Sequence, residues 1–109
     1  MADTLAQTLD EAYGALEALG PPVRMGGGED PGSAEVLVLA PVAETGTSLY
    51  GGTSLTARIQ VTAYAATLLR ALDLSTQARE ALEALGLHFL QSRPAPDPDS
   101  IGAISEFTS

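Results

Sequence analysis

The stretch that decides the fold is Leu55-Thr56-Ala57-Arg58-Ile59-Gln60-Val61-Thr62-Ala63-Tyr64-Ala65. Apolar residues occupy every second position, and Thr, Arg, Gln and Tyr fill the positions between them. Because successive side chains of a β-strand point to opposite faces, this alternation predicts a strand with one buried and one polar face. Eleven extended residues span roughly 36 Å, about the full width of a domain of this size. One end of the strand is therefore expected to project beyond the body of the molecule.

A first helix is predicted at the N-terminus. Asp3 or Thr4 can cap it, and Gly20-Pro21-Pro22 ends it, because proline cannot continue a helix. Between these signals the apolar residues recur at steps of three and four positions, and they are Leu5, Leu9, Ala12, Tyr13, Leu16 and Leu19. This spacing is typical of a helix that packs one apolar stripe onto a core.

A second helix is predicted over residues 67–85, which are rich in the good helix formers Leu, Ala, Glu, Gln and Arg. Gly86 is placed to end it. The apolar positions of its first turns are offset from the later ones around Asp73 and Ser75. A break at this point, giving two shorter helices, is compatible with the pattern.

Three other segments are predicted to be strands. Residues 34–40 contain Val36-Leu37-Val38-Leu39, a short apolar run between turn residues, which indicates a buried strand. Residues 87–92 form the next strand in the chain after the second helix. Residues 101–108 alternate again and form the last one.

The remaining segments are interpreted as connections. Residues 41–54 contain three glycines, and residues 93–100 contain three prolines that are incompatible with regular strand. The predicted order is therefore α-β-β-α-β-β, in a single domain over residues 1–109. Strands that arrive in hairpin pairs predict an α+β fold, with a mostly antiparallel four-stranded sheet and both helices packed on one face.

Composition limits the classes of function. The 109 residues have a formal net charge of −9, from 14 acidic residues against five arginines and no lysine. Nucleic-acid binding draws most of its affinity from clustered cations, and these arginines are scattered, so specific nucleic-acid binding is not expected. The absence of cysteine excludes disulfides and thiolate chemistry. The N-terminus lacks the features of a signal peptide, and the longest apolar run is too short to cross a bilayer, so no membrane association is expected.

The candidate chemical sites are weak. His88 is the single histidine, and it is interpreted as an ordinary polar residue at the start of a strand, without the partners that catalysis or zinc binding needs. Residues 97–102 resemble a calcium loop but lack its ligands at the decisive positions. Gly26-Gly27-Gly28 lacks the lysine of a phosphate loop and precedes two acidic residues. The sequence therefore predicts no enzyme activity, no cofactor and no metal site.

The candidate interaction surfaces are stronger. Leu49 and Tyr50 are large side chains within a Gly, Thr and Ser segment, where they either pack back on the core or bind a partner. Arg58, Gln60 and Tyr64 lie on the polar face of the long strand, which is either solvated sheet or a docking surface. Arg58 can pair with a carboxylate of a neighbouring subunit.

The chain resembles the tail terminator, or tail-completion, family of long-tailed bacteriophages. The resemblance is clearest where Thr47-Ser48-Leu49-Tyr50-Gly51-Gly52 leads into the alternating strand of residues 55–65. An alanine- and leucine-rich helix ending Arg79-Glu80-Ala81-Leu82 follows directly. The closing strand Ile104-Ser105-Glu106-Phe107-Thr108 also matches the family. The similarity covers the chain from about residue 34 onward.

This resemblance implies a structural virion protein. It implies a homo-oligomer, a hexameric ring, that sits on the last ring of tail tube protein, stops tube growth and offers its opposite face to the head–tail connector protein. The implied location is the tail or neck of the virion, with assembly in the host cytoplasm. Leu49, Tyr50, Arg58, Gln60 and Tyr64 are then expected at the subunit or tail-tube interface. DNA would pass through a lumen lined by surplus carboxylates.

A second hypothesis is a small adaptor or regulatory domain of a bacterial cell that binds a protein partner through its exposed sheet. The two hypotheses differ in self-association. A ring requires heterologous contacts between copies, whereas an adaptor is expected to be monomeric at every concentration.

Overall fold

The computed structural model describes residues 5–26, 35–49, 52–95 and 101–109, without the side chains of residues 44–49 and 52–55. Its elements, in chain order, are α1 (Leu5–Glu17), β1 (Val23–Met25), β2 (Val36–Leu49), β3 (Gly52–Ala65), α2 (Leu68–Ala84), β4 (His88–Pro94) and β5 (Ile101–Thr108). The strands form one sheet in the order β1-β2-β3-β5-β4. β1 runs parallel to β2, and every other neighbouring pair is antiparallel.

The α+β class is confirmed, but the prediction of four strands is wrong, because the sheet has five. The additional strand, β1, has three residues and follows directly after the prolines that end the first helix. It is held by pairing with β2, and the Leu37 amide also donates to the Pro22 carbonyl at 2.9 Å. Three residues are too few to produce a readable alternation, so tertiary hydrogen bonding alone defines this strand.

The interpretation of residues 41–54 as a connection is also wrong. β2 continues to Leu49 and β3 begins at Gly52, so the two strands form one long hairpin. The register shifts between Pro41 and Ala43, which places a bulge where proline cannot donate a ladder hydrogen bond. β3 pairs with β5 from Arg58 onward, so the hairpin projects as a two-stranded ribbon past the rest of the sheet. The molecule is correspondingly elongated, at 50 × 26 × 23 Å.

Both helices pack on the same face of the sheet, as predicted. Leu16 of α1 and Leu74 of α2 are fully buried in one core with Leu37, Ile59 and Phe107 of the sheet. The strand positions between these core residues point to the other face, and on β3 they are Thr56, Arg58, Gln60, Thr62 and Tyr64. The buried face predicted for the long strand is confirmed, since Ala57, Ile59, Val61, Ala63 and Ala65 are all buried.

α2 is a single helix, without the break near Asp73 that the sequence pattern allows. The Thr67 side chain caps it by accepting a hydrogen bond from the Arg70 amide at 3.2 Å. Asp73 lies on the exposed side, where its carboxylate accepts from Arg70 at 2.8 Å and from Gln77 at 3.0 Å. Ser75 faces the sheet instead. These side-chain contacts satisfy polar groups that would otherwise compete with the helical backbone.

The prediction that residues 93–100 cannot be regular strand is wrong at its start. β4 extends to Pro94, whose register partner is Ala103. β4 is the edge strand next to β5, and proline is tolerated at an edge because no outer neighbour needs its missing amide. Residues 96–100 lie outside the described part of the chain. Neither of the two helices is long and apolar enough to cross a membrane.

Candidate docking surface

The face of the sheet opposite the two helices is called the open face here. It is defined by strand register: Gln60 lies opposite Glu106, and Tyr64 lies opposite Gly102. Neither helix packs on this face within the described residues. Arg58, Gln60 and Tyr64, predicted to share a polar face, therefore do lie along one side of β3. Of the other two predicted interface residues, Leu49 ends β2 with its side chain outside the described part, and Tyr50 lies outside it altogether.

Glu106 is the centre of the polar contacts on the open face. Its side chain is 8% exposed, and its two oxygens accept from three side chains on both neighbouring strands. Arg58 Nη2 donates to Oε1 at 3.4 Å, Arg93 Nη1 donates to Oε2 at 2.7 Å, and Gln91 Nε2 also donates to Oε2. This group of four residues is called the Glu106 cluster. It satisfies a carboxylate that would otherwise be costly to bury on β5.

The Glu106 cluster holds its carboxyl group in the ionised form. The hydrogen bond from Gln91 lowers the pKa of Glu106 most, followed by the hydrogen bond and charge of Arg93 and the charge of Arg58. Burial acts in the opposite direction, because desolvation disfavours the charged carboxylate. The net pKa lies below the ordinary value, so Glu106 is anionic at neutral pH.

Arg58 is only partly satisfied by this arrangement. Its contact with Glu106 is longer than the 2.7–2.9 Å typical of charge-assisted hydrogen bonds. Its Nε is shielded from solvent and has no hydrogen-bond partner among the described residues. The side chains of Arg58 and Arg93 remain 41% and 46% exposed. The two guanidinium groups therefore keep unused donors at the surface.

On the open face, Gly102 of β5 is buried and lies against the ring of Tyr64. A Cβ atom at Gly102 would lie 2.8 Å from Cδ1 and 2.9 Å from Cε1 of the Tyr64 ring. The absence of a side chain at position 102 thus makes room for the ring. Ile104 and Thr62, opposite one another on the same face, are also nearly buried. The open face has an apolar part beside Tyr64 and a charged part around Glu106.

A second exposed feature lies on the first turns of α2. Leu68, Leu69 and Leu72 are 53%, 81% and 45% exposed, and their spacing places them side by side on the helix surface. These three residues are called the α2 apolar patch. Arg70 lies among them and donates to both oxygens of Glu35, and this ion pair lowers the pKa of Glu35. An apolar patch with a charged rim is typical of a protein-binding surface.

Of the chemical sites considered from the sequence, His88 is the one that lies wholly within the described residues. His88 is the first residue of β4, at the strand start where it was predicted, and its side chain is exposed. Within the described ranges, no group of three or more acidic or histidine side chains is arranged to hold a metal ion. Residues 97–100 of the calcium-like segment and residues 27 and 28 of the glycine run lie outside those ranges.

Sequence reasoning missed the partners of Arg58. Gln91 and Arg93 were assigned to a strand and to a connection, with no indication of what they contact. A signal was available at Glu106, the one charged residue of the last strand, on the face opposite Phe107. A charged residue within a buried strand needs ionic or hydrogen-bonding partners, and the neighbouring strands are where they must lie.

The fold was compared with known proteins. No family model and no curated protein sequence matches this chain. Among solved structures, it is similar to a chain in the virion of a native gene transfer agent particle, with a TM-score of 0.59 and 14% identity. It is also similar to the gp17 protein of bacteriophage SPP1, with a TM-score of 0.61 and 16% identity. Each match covers 95% of this chain and 88% of the other. The chain therefore shares its fold with a virion component and a bacteriophage protein.

Proposed function

We propose that this chain is a structural virion protein that forms a ring on the end of a phage tail tube. In this role it stops tube growth and provides the surface to which the head attaches. The observation that supports the proposal most is the shared fold, which spans 95% of the chain in both the gene transfer agent virion and the SPP1 protein. The family resemblance of the long strand and its flanking sequences points to the same assembly.

The exposed surfaces suit a protein that works by binding other subunits. The open face presents partly satisfied arginines, and the α2 apolar patch presents three leucines that are 45–81% exposed. Leu49, Tyr50, Arg58, Gln60 and Tyr64 are the proposed contacts with a neighbouring subunit or with the tail tube. A head-to-tail contact that closes on itself gives a ring, for which six copies are proposed.

The core also favours assembly. Among the described aromatic residues only Phe107 is fully buried, and alanines supply five members of the central core. Small side chains bury little apolar area per ordered residue, so the isolated domain gains modest stability from its interior. Burial between subunits would add to it.

The proposed partners follow from this position in the particle. One side of the ring would contact tail tube protein and the other the head–tail connector, at the tail or neck of the virion. DNA would pass through the lumen without specific binding, as expected for a chain of net charge −9. The proposed acidic lumen requires the surplus carboxylates to lie on the inner wall.

Disruption of the gene in the phage or prophage that encodes this chain tests the role. The expected phenotype is overlong tails and unattached heads in electron micrographs, both corrected by the wild-type chain supplied in trans. Particles with tails of normal length, joined to heads, would contradict the proposal. A matched complementation with Leu69→Gln, which alters the α2 apolar patch, is expected to restore particles poorly.

A further inference from the structure

Charge is divided unequally between the two sides of the molecule. The two helices carry six exposed carboxylates against two arginines, and the acidic residues are Asp10, Glu11, Glu17, Asp73, Glu80 and Glu83. On the open face of the described sheet, three arginines accompany one carboxylate, Glu106. Arg24 belongs to this set because Val23, its neighbour in β1, packs against the core on the helix side. A strongly acidic chain thus has a locally basic sheet face.

Arg58 and Arg93 have more N–H donors than they use in hydrogen bonds with the described residues. Each guanidinium has five N–H donors, yet among the described residues Arg58 makes one long contact with Glu106 and Arg93 makes one short contact with it. Arg58 Nε is shielded from solvent, so the donors available to a second copy are the remaining ones of these two side chains, which are 41% and 46% exposed. One carboxylate cannot neutralise two guanidinium groups, so an additional anion would be bound favourably between them.

We propose that the open face around Arg58 and Arg93 binds carboxylates on the helix layer of a second copy of this chain. The contact is heterologous: the sheet of one copy packs over the helices of the next. It rests on the proposed function, because a ring built from such contacts needs both surfaces on every subunit.

Charge complementarity identifies the occupant. The acidic surface that the arginines require is present on the same chain, on the opposite side of the sheet, with six exposed carboxylates. Nucleic-acid phosphates would also suit arginine, but a duplex would approach a chain of net charge −9 against repulsion. Attraction between the two faces also offsets the self-repulsion that a −9 chain experiences when it assembles.

Because the chain has no lysine, one lysine introduced on the open face can be cross-linked selectively to the carboxylates that it contacts. Arg58→Lys and Arg93→Lys each introduce a single side-chain amine, so a carbodiimide can join carboxylates only to that amine and to the N-terminus. Copies labelled with ¹⁵N are mixed with unlabelled copies, and cross-linked peptides are identified by mass spectrometry. Arg79→Lys is the control, because Arg79 already contacts Glu83 of its own copy at 3.3 Å. Circular dichroism checks that each variant is folded.

The expected result is cross-links between copies from positions 58 and 93 to the acidic residues of α1 or α2, and a link within one copy for the control. Cross-links only to Glu106 of the same copy, in an assembly of wild-type size, would overturn the contact and leave the ring standing. A wild-type chain that stays monomeric would instead refute the proposed ring itself.

Charge removal gives an independent measurement. Arg58→Gln together with Arg93→Gln is expected to weaken self-association at least about tenfold, and added salt is expected to weaken the wild type in the same direction. Unchanged association of a folded double variant would overturn the inference. So would wild-type binding to duplex DNA that the double variant loses, since the arginines would then be a phosphate site.

Discussion

The hydroxyl oxygens of Ser75 and Ser105 lie 2.8 Å apart, between helix α2 and strand β5. Both side chains are buried, so this contact is a polar link between a helix and the sheet within a mostly apolar interior. One hydroxyl donates to the other, and this hydrogen bond links α2 to the sheet. The next residue of β5, Glu106, lies on the open face. The same strand therefore makes polar contacts on both faces of the sheet.

Removal of one serine hydroxyl is expected to destabilise the protein. Ser105→Ala leaves the Ser75 hydroxyl buried without its partner, which should lower the free energy of unfolding by about 1–2 kcal/mol. Ser75→Ala should cost a similar amount, and the double variant should cost less than the two single changes together. Urea unfolding of the four proteins measures this cycle. Strict additivity would show that the two hydroxyls do not interact.

Two glycine substitutions are expected to have opposite effects. Gly102→Ala places a methyl group within 2.9 Å of the Tyr64 ring, which must move, so a loss of about 1–2 kcal/mol is expected. Gly14→Ala is the matched control: it lies within α1 with open space around its Cβ position, and alanine should stabilise the helix by about 1 kcal/mol. Thermal unfolding of both variants tests the pair. A Gly102→Ala protein as stable as wild type would contradict the described packing of Tyr64.

The Glu106 cluster is expected to make stability depend on pH. Since folding lowers the pKa of Glu106, its ionised form stabilises the folded state above the unfolded-state value near 4.5. This contribution is lost as pH falls from about 5 through the lower folded-state pKa. Glu106→Gln should therefore be less stable than wild type at pH 7, by about 1 kcal/mol because the arginine partners are half-exposed.

The difference between wild type and Glu106→Gln should shrink as the solution is acidified below about pH 5. Glu35 titrates in the same direction in both proteins, so its effect cancels in the comparison. Glu83→Gln is the control, since Glu83 is exposed and pairs only with Arg79 in the described structure. It should change stability by less than about 0.5 kcal/mol at any pH. If the difference in free energy of unfolding between wild type and Glu106→Gln stays constant from pH 7 to pH 3, Glu106 is not ionised in the folded protein.

The α2 apolar patch is expected to affect assembly and not folding. Leu69 is 81% exposed, so Leu69→Gln should change the free energy of unfolding by less than about 0.5 kcal/mol. If the patch packs against another subunit, the same change should weaken self-association. Leu74→Ala, at a fully buried position, is the contrasting variant and should destabilise the fold by about 2–5 kcal/mol. Wild-type association of Leu69→Gln would exclude the patch from the interface.

The sequence was informative where local patterns match the final environment. The alternation around Ile59 predicted the central strand and its buried face, because one side meets the helices and the other does not. Gly86 marked the end of α2, and its positive φ of 94° is the conformation that favours glycine there. In these places the physical cause lies within a few residues of the signal.

The predictions from the sequence that were wrong or incomplete have a common cause, which is pairing between segments that are distant in the chain. Residues 41–54 are rich in Gly, Thr and Ser and resemble a loop, yet the ladder between β2 and β3 makes residues 41–49 and 52–54 strand. Val23–Met25 is strand only because Leu37–Leu39 lies beside it. Arg58 was placed on the correct face, but its partner Glu106 is 48 positions away, and no spacing rule connects them.

The copy number of the assembled protein tests the central claim most directly. Native mass spectrometry of the purified chain, over a range of concentrations and at low salt, should show a monomer that converts to one closed oligomer, with six copies expected. The same measurement on the Arg58→Gln, Arg93→Gln variant should show that conversion only at higher concentration. A wild-type chain that remains monomeric throughout, or an open series of ever-larger species, would contradict a ring built from sister copies.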